Sequence, residues 1–217
     1  MMTQIEHHLS PEILMAYAAG TLPEAFSLVV ATHVSLCDEC RAELAGYEAL
    51  GGSVLETCGI AEMSDDSLEA TLARIAGRAP EPRPVRSPRS EGIFPTPLRD
   101  YLGGDLEAVH WTRAGGGVRQ AILTTARGAT ARLLHIPGGV AVPDHGHRGT
   151  ELTLVLQGAF LDGDMRFGRG DVEIADEHVD HQPVAEMGAD CICLAATDAS
   201  LRFNTFAPRL LQPFLRI

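Results

Sequence analysis

A proline-rich segment decides how this chain of 217 residues can fold. Residues 80–92 read Pro-Glu-Pro-Arg-Pro-Val-Arg-Ser-Pro-Arg-Ser-Glu-Gly, with four prolines in the first nine positions. Proline lacks a backbone N–H and its ring clashes with the preceding helical turn, so the segment favours extended chain and excludes a helix. We therefore predict a linker at 80–93 between one domain at 1–79 and a second at 94–217.

The part before the linker carries helix signals. Ser10-Pro11 is a favourable N-cap and first-turn pair, and apolar residues recur at helical spacing after Pro23. A break near Cys37 remains open, and Gly51-Gly52 is expected to end the second helix. The predicted helices cover 11–19, a stretch from 23 toward 50, and 64 to about 76, and they form a small helical bundle.

After the linker the apolar pattern changes to that of strands. Short segments are separated by Gly-Gly, Pro-Gly and Asp-Gly turns, a spacing typical of a small antiparallel β-barrel or sandwich. The predicted strands are 119–125, 129–136, 152–157, 172–174, 190–195 and 201–206. The chain is thus predicted to be an α + β protein of two domains.

Three metal-competent side chains share the second predicted helix. His33, Cys37 and Cys40 are four and three residues apart, which puts them within about 60° of one another around a helix axis. Two thiolates and an imidazole suit zinc, whose structural sites take four ligands. His7 or His8, just ahead of the first helix, is the nearest candidate for the fourth. The alternative is that all three are buried core residues.

A second cluster follows from the string Gly139-x5-His145-x-His147-x3-Glu151-x6-Gly158. His145 and His147, two apart on a strand, point to one face, and a carboxylate just beyond can close on the same ion. This string resembles the first cupin motif at every consensus position. The alternative is that these histidines are incidental strand residues.

The string Gly170-x10-His181 resembles the second cupin motif. Its spacing fits, but Asp176, His178 and Ala185 stand where Pro, Gly and Asn are usual. His181 is the matching ligand. The resemblance covers about 94–217 and implies a cupin barrel.

By this resemblance His145, His147, Glu151 and His181 bind one divalent metal. Three imidazoles and a carboxylate do not select the ion, and we favour Zn²⁺ over Mn²⁺, Fe²⁺ or Ni²⁺. Four protein ligands on zinc would close the site to substrate.

Cys191 and Cys193 lie two apart on the fifth predicted strand, so both project to one face. We expect no unstrained disulfide between them, because sites this far apart along a strand exceed disulfide geometry. They are either buried strand residues or a redox-sensitive pair near the cupin metal.

The N-terminal pattern resembles the zinc-containing anti-sigma domain, in which the first histidine ligand precedes the first helix. His8 fits that alignment better than His7. The stretches Ala16-Tyr-Ala-Ala-Gly-Thr21 and Leu36-Cys-Asp-Glu-Cys40, together with the fusion to a cupin-like domain, resemble the ChrR-type anti-sigma factors.

That resemblance implies a role in transcription control. Residues 1–79 would bind an extracytoplasmic-function sigma factor of the sigma E type, group IV, and block its docking on RNA polymerase. The cupin-like domain would be needed for release under singlet oxygen. Oxidation of Cys37 and Cys40 with loss of zinc is another entry point for the signal. The alternative function is a metal-dependent cupin enzyme, a dioxygenase or isomerase, with a helical appendage.

The net charge of residues 1–79 indicates what kind of molecule they bind. Residues 1–79 hold 12 Asp and Glu against three Arg, a surface that disfavours direct nucleic-acid binding and favours a basic protein partner. The first residues lack the pattern of a signal peptide and no apolar run approaches a membrane span, so we expect no membrane association and a cytoplasmic protein.

Overall fold

The computed structural model describes residues 4–78 and 92–203. Most of the predicted linker, and the end of the last predicted strand, lie outside these residues. The helices are α1 (Pro11–Ala18), α2 (Glu24–Val34), α3 (Asp38–Glu56), α4 (Ser67–Ala76) and α5 (Thr96–Leu102), with a 3₁₀ turn at Leu106–Ala108. The strands are β1 (Thr112–Gly115), β2 (Val118–Ile122), β3 (Thr130–Ile136), β4 (His145–Gly146), β5 (Glu151–Gln157), β6 (Ala159–Asp162), β7 (Met165–Gly168), β8 (Val172–Ala175), β9 (Asp180–His181), β10 (Val184–Ala185), β11 (Cys191–Thr197) and β12 (Arg202–Phe203).

Local side chains set where the first helices begin. The Ser10 hydroxyl accepts a hydrogen bond from the backbone N–H of Ile13 at 3.4 Å, and Pro11 occupies the first turn, where its missing N–H costs nothing. The chain leaves the helical path after Val34 and restarts at Asp38 with the Cys37 thiol as N-cap. The break that the sequence left open near Cys37 is therefore real, and His33 and Cys40 lie on two different helices.

The strands form three antiparallel sheets. Six strands pair in the order β1-β2-β3-β11-β5-β8, three in the order β10-β6-β7, and three in the order β12-β4-β9. The predicted antiparallel cupin-like architecture is confirmed, although the sheet does not close into one continuous barrel. The sheet β12-β4-β9 brings two of the histidines together, because His145 on β4 pairs with His181 on β9.

The central strands of the six-stranded sheet are buried on both faces, and successive side chains belong to different cores. On β11, Ile192 and Leu194 belong to a core shared with Val29 and Val30 of α2, whereas Cys191 and Cys193 belong to a second core on the other side. Side chains two apart on a strand share a face, so a central strand such as β11 contributes to both cores. The N-terminal helices thus pack on the back of the sheet that lines the cupin interior.

Two helices differ from the sequence prediction, and the short strands β1, β4, β6, β7, β9 and β10 lie outside the predicted segments. Helix α3 continues through Gly51 and Gly52 to Glu56, because a glycine costs a helix only about 1 kcal/mol and nothing approaches either position. Helix α5 was not predicted, although Pro97 near its start and the left-handed Gly103 at its end are helix signals. Within 4–78 and 92–203, no helix has both the length and the apolar character that a membrane crossing requires.

Replacing Leu194 by Ala should destabilise the protein by about 2–5 kcal/mol. Leu194 is fully buried on the side of β11 that faces α2, and its truncation leaves a cavity. Urea unfolding measures the change. Leu161, which is 40% exposed on β6, is the matched control, and its replacement by Ala should cost less than about 1 kcal/mol. Equal losses for both variants would contradict the shared core.

Candidate metal centres

Four side chains from the N-terminal half converge on one point. His8, His33, Cys37 and Cys40 each offer a ligand atom, and these atoms all lie within 4.8 Å of one another. His33 Nε2 is 3.2 Å from Cys40 Sγ, and His8 Nδ1 is 3.3 Å from Cys37 Sγ. Two thiols and two imidazoles at this separation match the donor set of a tetrahedral structural site.

Helix α3 contributes to the chemistry of this cluster. Cys37 caps the helix and accepts the Cys40 backbone N–H at 3.4 Å, so both sulfurs lie at the positive end of the helix dipole. That position favours thiolates once a cation is present. Without one, burial raises the pKa of Cys40 to about 12, so the thiol keeps its proton at neutral pH.

His33 is oriented by a residue of the other half of the chain. Its Nδ1 donates to the backbone carbonyl of Gly170 at 2.8 Å, which leaves the Nε2 lone pair facing Cys40. Burial lowers the pKa of His33 to about 4, so the imidazole is neutral and ready to bind a cation at neutral pH.

His7 is turned away from the cluster. Its ring packs on Phe167 with a centroid distance of 4.3 Å, and its Nδ1 is 3.7 Å from the Asp171 carboxylate. Of the two histidines that the sequence left open, the structure brings His8 and not His7 to the cysteines.

A second cluster lies inside the cupin-like half. His145, His147 and His181 converge there, with His147 Nε2 3.0 Å and His145 Nε2 3.2 Å from His181 Nε2. His145 donates from Nδ1 to the Pro143 carbonyl at 2.8 Å, so its Nε2 is a lone pair. Three imidazole nitrogens that converge at such distances can close on one ion, so this group fits a metal ion.

His181 is held from its other side by two carboxylates. Its Nδ1 lies 3.0 Å from Asp162 Oδ2 and 3.5 Å from Glu173 Oε1. Burial alone would lower the pKa of His181, but Glu173 and Asp162 outweigh it and raise the pKa to about 9. A ligand imidazole that donates its far N–H to a carboxylate is the usual outer arrangement of a metal site. No spacing in the sequence indicated either carboxylate.

Glu151 lines the same cavity but does not join the three imidazoles. Its Oε1 accepts a hydrogen bond from the Thr153 hydroxyl at 3.1 Å. Burial raises the pKa of Glu151, and the nearby Arg132 guanidinium offsets part of that rise. The fourth ligand of this cluster therefore stays a prediction. The cavity, of about 290 Å³, is otherwise walled by apolar side chains such as Leu134, Ile136, Val142, Phe160 and Leu201.

Cys191 and Cys193 are free and buried, with their sulfurs 3.5 Å apart. The hydrogen bond with Cys191, together with burial, raises the pKa of Cys193 well above its ordinary value. Cys193 lines the cavity. A protonated thiol is a poor nucleophile, so the redox role remains a prediction that this environment disfavours.

Known proteins share both halves of this chain. The family model of the ChrR cupin-like domain matches residues 101–200. The anti-sigma-E factor ChrR of Cereibacter sphaeroides is 61% identical over 213 residues, which cover 98% of this chain and 99% of that protein. The chain belongs to the ChrR family. The crystal structure of Rhodobacter sphaeroides SigE in complex with the anti-sigma ChrR matches with a TM-score of 0.80 and 57% identity, covering 90% of this chain and all of that one.

For this ChrR family member, metal affinity at the His8, His33, Cys37 and Cys40 cluster should rise with pH. Cys40 must lose the proton that its raised pKa retains, whereas His33, with a pKa near 4, has none to lose. Each released proton strengthens binding by roughly tenfold per pH unit between about pH 6 and 8. Cobalt(II) titrations, followed by the thiolate-to-cobalt charge-transfer absorption, measure this slope.

The control is Cys58→Ser, which alters an exposed cysteine outside the cluster and should leave the slope unchanged. A pH-independent affinity in the wild-type protein would rule out thiol ligands.

Proposed function

We propose that this protein is an anti-sigma factor that sequesters an extracytoplasmic-function sigma factor of the sigma E type, group IV, and so represses transcription. The observation that carries the proposal is an exposed apolar surface on the helical half of a ChrR family member. The related ChrR was crystallised in complex with SigE, which supports the same class of partner here.

The apolar surface lies on the last two helices before the linker. Leu68, Leu72 and Ile75 follow each other at helical spacing on α4 and are 54–66% exposed, and α4 has no buried residue. An amphipathic helix that has no buried residue against residues 4–78 and 92–203 is typical of an interface helix. The neighbouring exposed residues on and after α3 are Leu50, Val54, Leu55, Ile60 and Met63.

Charge supports a protein partner over nucleic acid. The helical half has four times as many acidic as basic residues, so DNA phosphates would be repelled. Sigma factors bind DNA and therefore present basic surfaces, which this half can cover. We place the protein in the cytoplasm, where sigma factors meet RNA polymerase.

We further propose zinc as the metal of the N-terminal cluster. A domain of under 80 residues has little core of its own, and a structural zinc supplies folding free energy that holds α1, α2 and α3 together. For the cupin cluster we propose a divalent metal, with zinc favoured over manganese, iron or nickel, held by His145, His147, His181 and, after rearrangement, Glu151.

The cupin-like half is proposed to sense the signal. In this proposal, singlet oxygen or a related oxidant alters the cupin site, and the helical half then releases the sigma factor. An enzymatic role finds less support, because the relatives that match nearly the whole chain are named as anti-sigma factors.

Replacing Leu72 by Glu should weaken binding to a purified group IV sigma factor by at least about 30-fold, because a charge at the centre of an apolar interface is left desolvated. The fold should be unaffected, since Leu72 is 54% exposed. Calorimetric titration measures the affinity. Met187→Glu, at a residue that is 83% exposed on the cupin-like half, is the matched control and should bind normally. Normal binding by Leu72→Glu would refute this interface.

Replacing His147 by Ala should leave sigma binding intact and abolish release, because the three-imidazole group is broken while α4 is untouched. A sigma-dependent reporter gene, with and without a photosensitiser that generates singlet oxygen, measures the response. Full induction in this variant would show that the signal enters elsewhere, for example at Cys37 and Cys40.

A further inference from the structure

One segment of the cupin-like half touches both metal-binding clusters. The bridging segment, Gly168–Glu173, contains the turn after β7 and the first two residues of β8. Its side chains and carbonyls reach the N-terminal cluster at one end and the cupin histidines at the other.

At the first end, Asp171 forms hydrogen bonds with the backbone just before His8. Its Oδ1 accepts the backbone N–H groups of Glu6 at 2.7 Å and His7 at 3.0 Å, and its Oδ2 accepts that of Gly168 at 2.7 Å. The Val172 N–H donates to the His7 carbonyl at 3.2 Å. Asp171 is only 4% exposed, so these bonds are shielded from water and fix the backbone that presents His8.

Gly170 acts on the other histidine of the same cluster. Its carbonyl fixes the His33 tautomer, and its φ of +94° belongs to a region that side chains avoid. A Cβ at this position would lie 2.6 Å from Ile5 Cδ1. Its backbone conformation therefore favours glycine, and Ile5 of the helical half packs directly against it.

At the second end, Glu173 lies against the cupin cluster. Its Oε1 is 3.5 Å from His181 Nδ1, and its side chain faces the cavity while Val172 faces the helices. β8 pairs in register with β5, Val172 with Leu154 and Glu173 with Thr153. The Val155 N–H also donates to the Asp171 carbonyl at 3.0 Å, so a short hydrogen-bonded stretch of backbone joins Glu173 to Asp171. A hydrogen-bonded strand resists local bending.

We propose that Gly170 and Asp171 are positioning residues for the N-terminal metal site, and that through Glu173 they couple this site to the cupin histidines. His181 and the pair His8 and His33 then adjust together, and metal binding at one cluster changes affinity at the other by the same factor. The coupling itself is argued from these contacts. Its biological role, which is to carry the signal to the sigma-binding half, rests on the proposed function.

A double-mutant cycle on the full chain tests the coupling. The four proteins are wild type, His147→Ala, Asp171→Asn and the double variant, and the readout is the cobalt(II) affinity of the Cys-containing cluster at equal total metal. His147→Ala should shift that affinity by about fivefold or more in the wild-type background. In the Asp171→Asn background the shift should fall below about twofold.

Asp105→Asn is the matched control. Asp105 also accepts three backbone N–H groups, from Ile93, Phe94 and Leu106, but all lie within the cupin-like half. The full shift should persist in its background, and its cobalt spectrum should be that of the wild type. Asp171→Asn should alter the cobalt spectrum, which a purely structural defect elsewhere would not do.

Glu173→Gln tests the other end of the bridging segment, and it tests the coupling alone if Asp171→Asn does not fold. It should abolish the change in N-terminal cobalt(II) affinity that His147→Ala causes, while leaving the N-terminal cobalt spectrum unchanged. The proposal is overturned if His147→Ala causes no shift in the wild type, or if the full shift survives in Asp171→Asn or Glu173→Gln. These measurements need no sigma factor, so such a result would leave the anti-sigma assignment standing, and failed sigma binding would not affect the coupling.

Discussion

The helical half depends on the back of the six-stranded sheet. Val29 and Val30 of α2 are fully buried in one core with Leu152, Leu154 and Leu194 of the central strands. Burying apolar surface is the main free-energy gain available to a small three-helix unit, and here the cupin-like half provides it. The helical half thus packs directly on the sheet that lines the proposed sensor site. The two halves are connected by this shared core as well as by the linker.

The two clusters are contacted from opposite sides of β8 and the turn that precedes it. The Gly170 carbonyl contacts His33, and Glu173 contacts His181. Adjacent residues on β8 face opposite sides, so Val172 contacts the helical core and Glu173 contacts the cavity. Packed interfaces move between discrete arrangements more readily than they deform. The proposed coupling between the clusters therefore has a packed route from His181 through Glu173 and Val172 to the helical core.

Much of this architecture could be predicted from the sequence, because the signals are local. The change from helical to alternating periodicity located most elements, and close spacing identified His33, Cys37 and Cys40 and the pair His145 and His147. Other features depend on contacts between distant residues. Asp171 binds an amide 165 positions away, and Asp162 on β6 meets His181 on β9, a strand of a different sheet. No periodicity reports such contacts, and Glu151 shows that a motif position does not fix a side-chain rotamer.

The two clusters are suited to different tasks. The N-terminal one brings four donors together and leaves no position for a small molecule, as expected of a structural site. The cupin cluster brings three imidazoles to a cavity of about 290 Å³ whose walls are largely apolar. An ion held by these imidazoles would face this cavity, whereas Cys193, which lines the same cavity, is buried and protonated. The cupin cluster is therefore better suited to the proposed sensing, and the exposed apolar face of α4 to sigma binding.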